Sequence, residues 1–146
     1  MLAILPVIGV LLAGIGVALQ TPTNATLARA SGSVLLAALI SFSVGTVVLL
    51  LLWALFDRTP PSAVRGVPAW AWFGGVYGAG FVSIFAFAGP RIGLAATITI
   101  AIATQLLAAL VIDHFGLLGM NTQTVTPWKL AGVALVVAGV VLVRRG

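Results

Sequence analysis

Long apolar runs alternate along this chain with short polar clusters, and each run is long enough to cross a membrane. The first is apolar from Leu2 to Leu19, then turns polar at Gln20, Thr21, Pro22, Thr23, Asn24 and Thr26 before Leu27 and Arg29. A spanning helix needs about 20 mostly apolar residues, so the pattern predicts a first span over about 2–29. Gly16, Gln20 and Asn24 recur every fourth residue, which puts them on one face if the helix continues. Pro22 is expected to bend that helix or to begin a new turn. Ala28-Arg29-Ala30 has the small residues of a signal cleavage site. A signal peptide, however, opens with positive charge, and no Lys or Arg precedes Arg29. The run therefore reads as a retained span.

Ser31-Gly32-Ser33 marks a turn, and a second span is predicted over 34–56. It carries Ser41, Ser43, Gly45 and Thr46 in an aliphatic stretch and ends at Asp57-Arg58-Thr59-Pro60-Pro61. A third span, over 69–88, opens with Trp70 and Trp72, residues that suit the membrane interface. It continues through Gly74, Gly75, Gly78 and Gly80. Gly74 and Gly78 form the GxxxG spacing that lets helix backbones approach, so Gly74, Gly75 and Gly78 are candidate packing positions. Gly89-Pro90-Arg91 predicts the next turn. The fourth span, 92–112, contains Thr97, Thr99, Thr104 and Gln105 and leads into Asp113-His114-Phe115-Gly116. A polar stretch from Asn121 to Thr126 precedes the fifth, 128–143, which Arg144 and Arg145 close. The predicted fold is all-α: a single domain over 1–146 with five transmembrane helices.

Composition turns this pattern into a statement about solvent. Hydrophobic residues make up 62% of the chain and charged residues 6%, with a mean hydropathy of +1.27. A soluble domain carries about 25% charged residues, so the solvent here is the lipid bilayer. The net charge of +5 would suggest nucleic acid in a soluble protein. Here the basic residues sit at span ends, where they act as topology signals, and no nucleic-acid partner is expected. The chain has no cysteine, one histidine, His114, and two acids, Asp57 and Asp113. A hydrolytic triad or a metal cluster cannot be assembled from one such chain. The expectation is a protein that is not an enzyme and uses no cofactor or metal.

Charge placement bears on topology. With five crossings, Arg58, Arg65 and Lys129 fall on one side, and Arg29, Arg91, Arg144 and Arg145 on the other. The positive-inside rule sets orientation by such asymmetry, and three against four is a weak instruction that leans only slightly towards a cytoplasmic C-terminus. Insertion in both orientations is expected. Many transporters place a midplane site between two inverted halves. Five spans cannot be divided into two equal halves, and no repeat runs along the chain. An antiparallel homodimer would supply the inverted half.

Several short patterns together resemble one family. They are Gln20 with Asn24 and Leu27; Ser41-Phe42-Ser43-Val44-Gly45-Thr46; Pro68-Ala69-Trp70 with Trp72; Gly74-Gly75-Val76-Tyr77-Gly78-Ala79; Pro90 with Gly93; Gln105; and Ile112-Asp113-His114-Phe115-Gly116. In this order, over nearly the whole chain, they resemble the YdcZ-like branch of the drug/metabolite transporter (DMT) superfamily. The sequence departs from that pattern at Thr104, where glycine is expected. The resemblance implies a half-length, five-span transporter of the cell (inner) membrane that pairs with a second five-span half. It names no substrate.

Polar residues inside a bilayer are expensive and are default functional candidates. Gln20 and Asn24 are candidates to line a substrate cavity, and the alternative is that they bond between helices or cap a bent one. Gln105, deep in the fourth span, and Tyr77, among the glycines of the third, are the other candidate substrate-binding residues. Thr97 and Thr104 can satisfy their hydroxyls on their own helix. Trp70, Trp72 and Trp128 read as interfacial anchors. Asp113 and His114, at a span boundary, could relay protons, or Asp113 could pair with a basic residue or cap a neighbouring helix. No Asp or Glu lies within a predicted span, so exchange of a proton for a cation at a buried carboxylate is not available there. A neutral, zwitterionic or anionic substrate is expected, unless Asp113 and His114 do the coupling. The leading reading is a dual-topology, antiparallel homodimeric transporter of an unidentified small molecule. The alternatives are a passive channel, and a non-transporting scaffold or subunit of a heteromeric transporter.

Overall fold

The computed structural model describes residues 4–145 and contains five long helices. They are α1 (Ile4–Ser31), α2 (Val34–Leu52), α3 (Gly74–Ile92), α4 (Leu94–Phe115) and α5 (Pro127–Arg145). Trp53–Asp57 prolongs α2 as a π-helical turn, and a 3₁₀ segment, Ala69–Phe73, leads into α3. With those extensions all five elements are long and apolar enough to span a bilayer. No strand occurs among the described residues.

The first helix runs unbroken through Pro22. A proline inside a helix removes one backbone hydrogen bond, and threonine hydroxyls can re-satisfy freed carbonyls in a span. Thr21 Oγ1 donates to Val17 O at 3.2 Å. Thr23 Oγ1 donates to Leu19 O at 3.2 Å and to Gln20 O at 2.7 Å. The carbonyls on either side of the gap are thus held by the neighbouring side chains. At 28 residues α1 is about 42 Å long, more than the roughly 30 Å of hydrocarbon in a bilayer.

Helix ends are set by local chemistry. Gly32, at φ +68°, stops α1, and Ser33 caps α2 by accepting from Leu36 N at 3.1 Å. Arg58 closes the π-turn in the left-handed region, with its amide on Trp53 O at 2.8 Å and its Nε on Ala54 O at 2.8 Å. The third helix continues through Gly89-Pro90-Arg91 to Ile92, beyond the turn that the Gly-Pro pair predicts. Proline adopts a helical φ and costs a helix one hydrogen bond here, whereas Gly93, at φ +89°, reverses the chain. Thr126 Oγ1 accepts from Lys129 N at 3.3 Å and Pro127 opens α5, the preferred first position for proline.

The chain forms two compact units, one up to Pro90 and one from Arg91. In the first, α1 and α2 pack as a hairpin. The buried positions there are small: Thr21, Asn24 and Ala25 on α1, and Ala37 and Ala38 on α2. Small residues allow the close approach that drives association where lipid removes the hydrophobic force. The third helix turns the stripe Val82, Phe85, Ala86 and Gly89 inward. It meets α1 where Gly89 faces Thr21 and α2 where Gly78 faces Phe42. In the second unit α4 packs against α5.

Candidate functional site

Most hydroxyls of the spanning helices are already used. Thr21, Thr23, Thr26 and Ser31 on α1 donate to backbone carbonyls three or four residues earlier. Ser43 on α2, Ser83 on α3, and Thr97, Thr99 and Thr104 on α4 do the same. This is the low-cost way to carry a hydroxyl through lipid.

Ser41 and Thr46 differ. Neither hydroxyl has a hydrogen-bond partner among the described residues, and both face accessible space rather than a sealed interior. They line one groove between α1 and α2 together with Gln20, Phe42, Gly45 and Leu49. Its volume is about 180 Å³. The Gln20 carboxamide is likewise without a partner among the described residues. The groove sits near mid-span: Gly45 falls halfway along the Val34–Asp57 element, and Gln20 lies close to the middle of Ile4–Ser31. A Cβ built on Gly45 meets nothing within 4 Å, so the absent side chain leaves the groove open.

Asn24 lies one turn further along the same face of α1. The residue is only 3% exposed. Among the described residues every sealed side-chain nitrogen or oxygen has a partner, yet the Asn24 carboxamide makes no hydrogen bond. Its amide atoms must therefore carry the little accessible surface the residue keeps. A buried amide turned towards open space is costly unless something polar meets it.

Tyr77 is 69% exposed and its nearest ring neighbour is Phe73, at 6.5 Å between centroids. Gln105 is exposed on α4, in the second unit. Gly78 lies against the Phe42 ring, whereas Gly74 and Gly75 have nothing within 4 Å of a built Cβ. His114 Nδ1 accepts from Val125 N at 3.3 Å, and the backbone carbonyl of Asp113 accepts from Gln123 N at 2.7 Å. Both residues thus hold the loop before α5 against the end of α4. Among the described residues no three His, Cys, Asp or Glu side chains come together as a metal site.

Sequence patterning did not single out Ser41 and Thr46 as binding residues. A hydroxyl that bonds its own backbone and one that does not look the same in sequence. Their spacing from Gly45 was the one available signal, since 41 and 45 share a face and 46 adjoins it.

The chain matches the family described as "Putative inner membrane exporter, YdcZ" over residues 5–142. It belongs to that family. The match takes in all five spans, so the protein is a multi-pass inner-membrane protein of an exporter family. Neither a curated protein nor a solved structure matches the chain.

Proposed function

We propose that this YdcZ-family protein exports a small molecule as a dual-topology antiparallel homodimer of the DMT type, with its substrate site in the α1–α2 groove at mid-membrane. One observation carries the site. Gln20, Ser41 and Thr46 converge unpartnered on a single groove in a helix pair whose other hydroxyls are tied to the backbone. Polar groups in lipid are retained where they meet a ligand, a partner or water. Asn24 would extend the polar path by one turn. Tyr77 and Gln105 are exposed and would contribute to the site in the assembled dimer.

The near balance of basic residues, three against four, supports insertion in both orientations. Two oppositely inserted copies would supply the inverted pair that alternating access needs. The acids, Asp57 and Asp113, stand at the ends of spans, and the support for transport is the exporter family that the chain matches.

The absence of cysteine makes topology directly measurable. A Ser62→Cys variant, in the loop after α2, is labelled in intact cells with a membrane-impermeant thiol reagent. Dual topology gives labelling of about half the molecules, with the rest reached after permeabilisation. Complete labelling, or none, in intact cells refutes it.

A further inference from the structure

We infer that the α1–α2 groove selects an uncharged, compact molecule carrying both a hydrogen-bond donor and an acceptor, of the primary carboxamide kind, in preference to an ion. The inference rests on the transport reading of this groove.

The groove holds no ionisable side chain. Along its own helices the nearest charges are Arg29, nine residues beyond Gln20, and Asp57, eleven residues beyond Thr46. At the helical rise these lie about 13 Å and 16 Å away along the axis. An ion bound in the groove would meet no countercharge among the residues that line it. Burying an unpaired charge there is far more costly than burying a hydrogen-bonded neutral group.

The polar groups present favour a specific neutral chemistry. A carboxamide offers two N–H donors and a carbonyl acceptor, and a hydroxyl is both donor and acceptor. The Gln20 carboxamide can pair with a ligand carboxamide through two opposed N–H to O bonds. Ser41 and Thr46 then remain free to meet the outer N–H and the second carbonyl lone pair. A carboxylate would confront the Gln20 carbonyl oxygen with another acceptor, and an amidinium would confront its NH₂ with donors. The Phe42 ring and Leu49 supply the apolar wall against which the rest of the molecule would lie. At about 180 Å³ the groove is smaller than the usual drug-sized pocket of about 300–1,000 Å³, which calls for a compact ligand.

Three probes of nearly equal shape separate the alternatives: benzamide, benzamidinium and benzoate. Each is titrated calorimetrically into the purified full-length protein in lipid nanodiscs. Benzamide should bind at least about tenfold more tightly than either ion. Ser41→Ala and Thr46→Val should each weaken benzamide about three- to tenfold. Ser43→Ala, whose hydroxyl is held by Leu39 O at 2.9 Å, should leave it unchanged. If benzamidinium or benzoate binds as tightly as benzamide and responds to the Ser41 and Thr46 changes, the groove stands as the site and the neutral class is wrong. If a probe binds but ignores both changes, the groove itself is wrong as the site. If none of the three binds, the carboxamide preference is refuted, while the topology measurement on Ser62→Cys still judges the transporter reading separately.

Discussion

Phe42 rests its ring on Gly78: a Cβ on that glycine would lie 3.3 Å from Phe42 Cζ. The same phenylalanine lines the groove that contains Gln20. One side chain thus touches both the candidate site and the glycine-rich third helix. Under the proposed function, filling the groove would press on the ring and, through it, on α3.

This contact predicts a graded response to side chains at position 78. Gly78→Ala adds one methyl against the movable end of a ring and should cost under about 1 kcal/mol, while Gly78→Val should cost about 1–3 kcal/mol through overpacking. Phe42→Leu should relieve part of the Val penalty. Gly80→Ala, with nothing within 4 Å of the new Cβ, should be neutral or gain about 0.5–1 kcal/mol. Thermal unfolding of the purified variants in detergent measures all four.

The contact between α1 and α3 is tighter and less forgiving. A Cβ on Gly89 would sit 3.0 Å from Thr21 Cγ2, and both residues are buried. The Thr21 rotamer is held by its hydroxyl on Val17 O, so the methyl cannot swing away freely. Gly89→Ala should lower stability by about 1–3 kcal/mol. Adding Thr21→Ser, which removes the methyl and keeps the hydroxyl, should restore most of the loss. A double-mutant cycle on unfolding temperatures reads the coupling.

Gly116 combines two constraints. Its φ is +60°, and a Cβ there would fall 2.6 Å from Thr122 Oγ1. Gly116→Ala should cost about 1–3 kcal/mol. Removing the neighbouring hydroxyl with Thr122→Ala should recover only part of it, because the left-handed backbone remains. Full rescue in the double variant would contradict the backbone argument.

Gly45 gives the reverse case, a position where bulk should be tolerated by the fold and not by the ligand. Nothing lies within 4 Å of its built Cβ, yet the residue lines the groove. Gly45→Leu should leave the unfolding temperature within a few degrees of the parent and abolish ligand-induced stabilisation. A compound that stabilises the parent by binding should stabilise this variant no further.

The hydrophobic pattern alone determined the architecture. Runs such as Val34–Phe56 exceed the thickness of the hydrocarbon core and carry no charge, so helix is the only backbone that satisfies itself there. The family was legible too, because motifs such as Ser41 to Thr46 and Ile112 to Gly116 are local. Helix ends were less so: the Gly89-Pro90 pair reads as a turn, but the helix passes through it because a proline near the end of a helix costs little and Gly93 alone takes the positive φ. Gln20 and Asn24 could be placed on one face by counting along a helix. The partner of that face could not, since nothing local says which residues of α2 come opposite Gln20, or that Ser41 and Thr46 keep their hydroxyls free while Ser43 between them gives its own to the backbone. Which residues of α2 come opposite Gln20 depends on the packing of α1 on α2, and tertiary structure alone decided it.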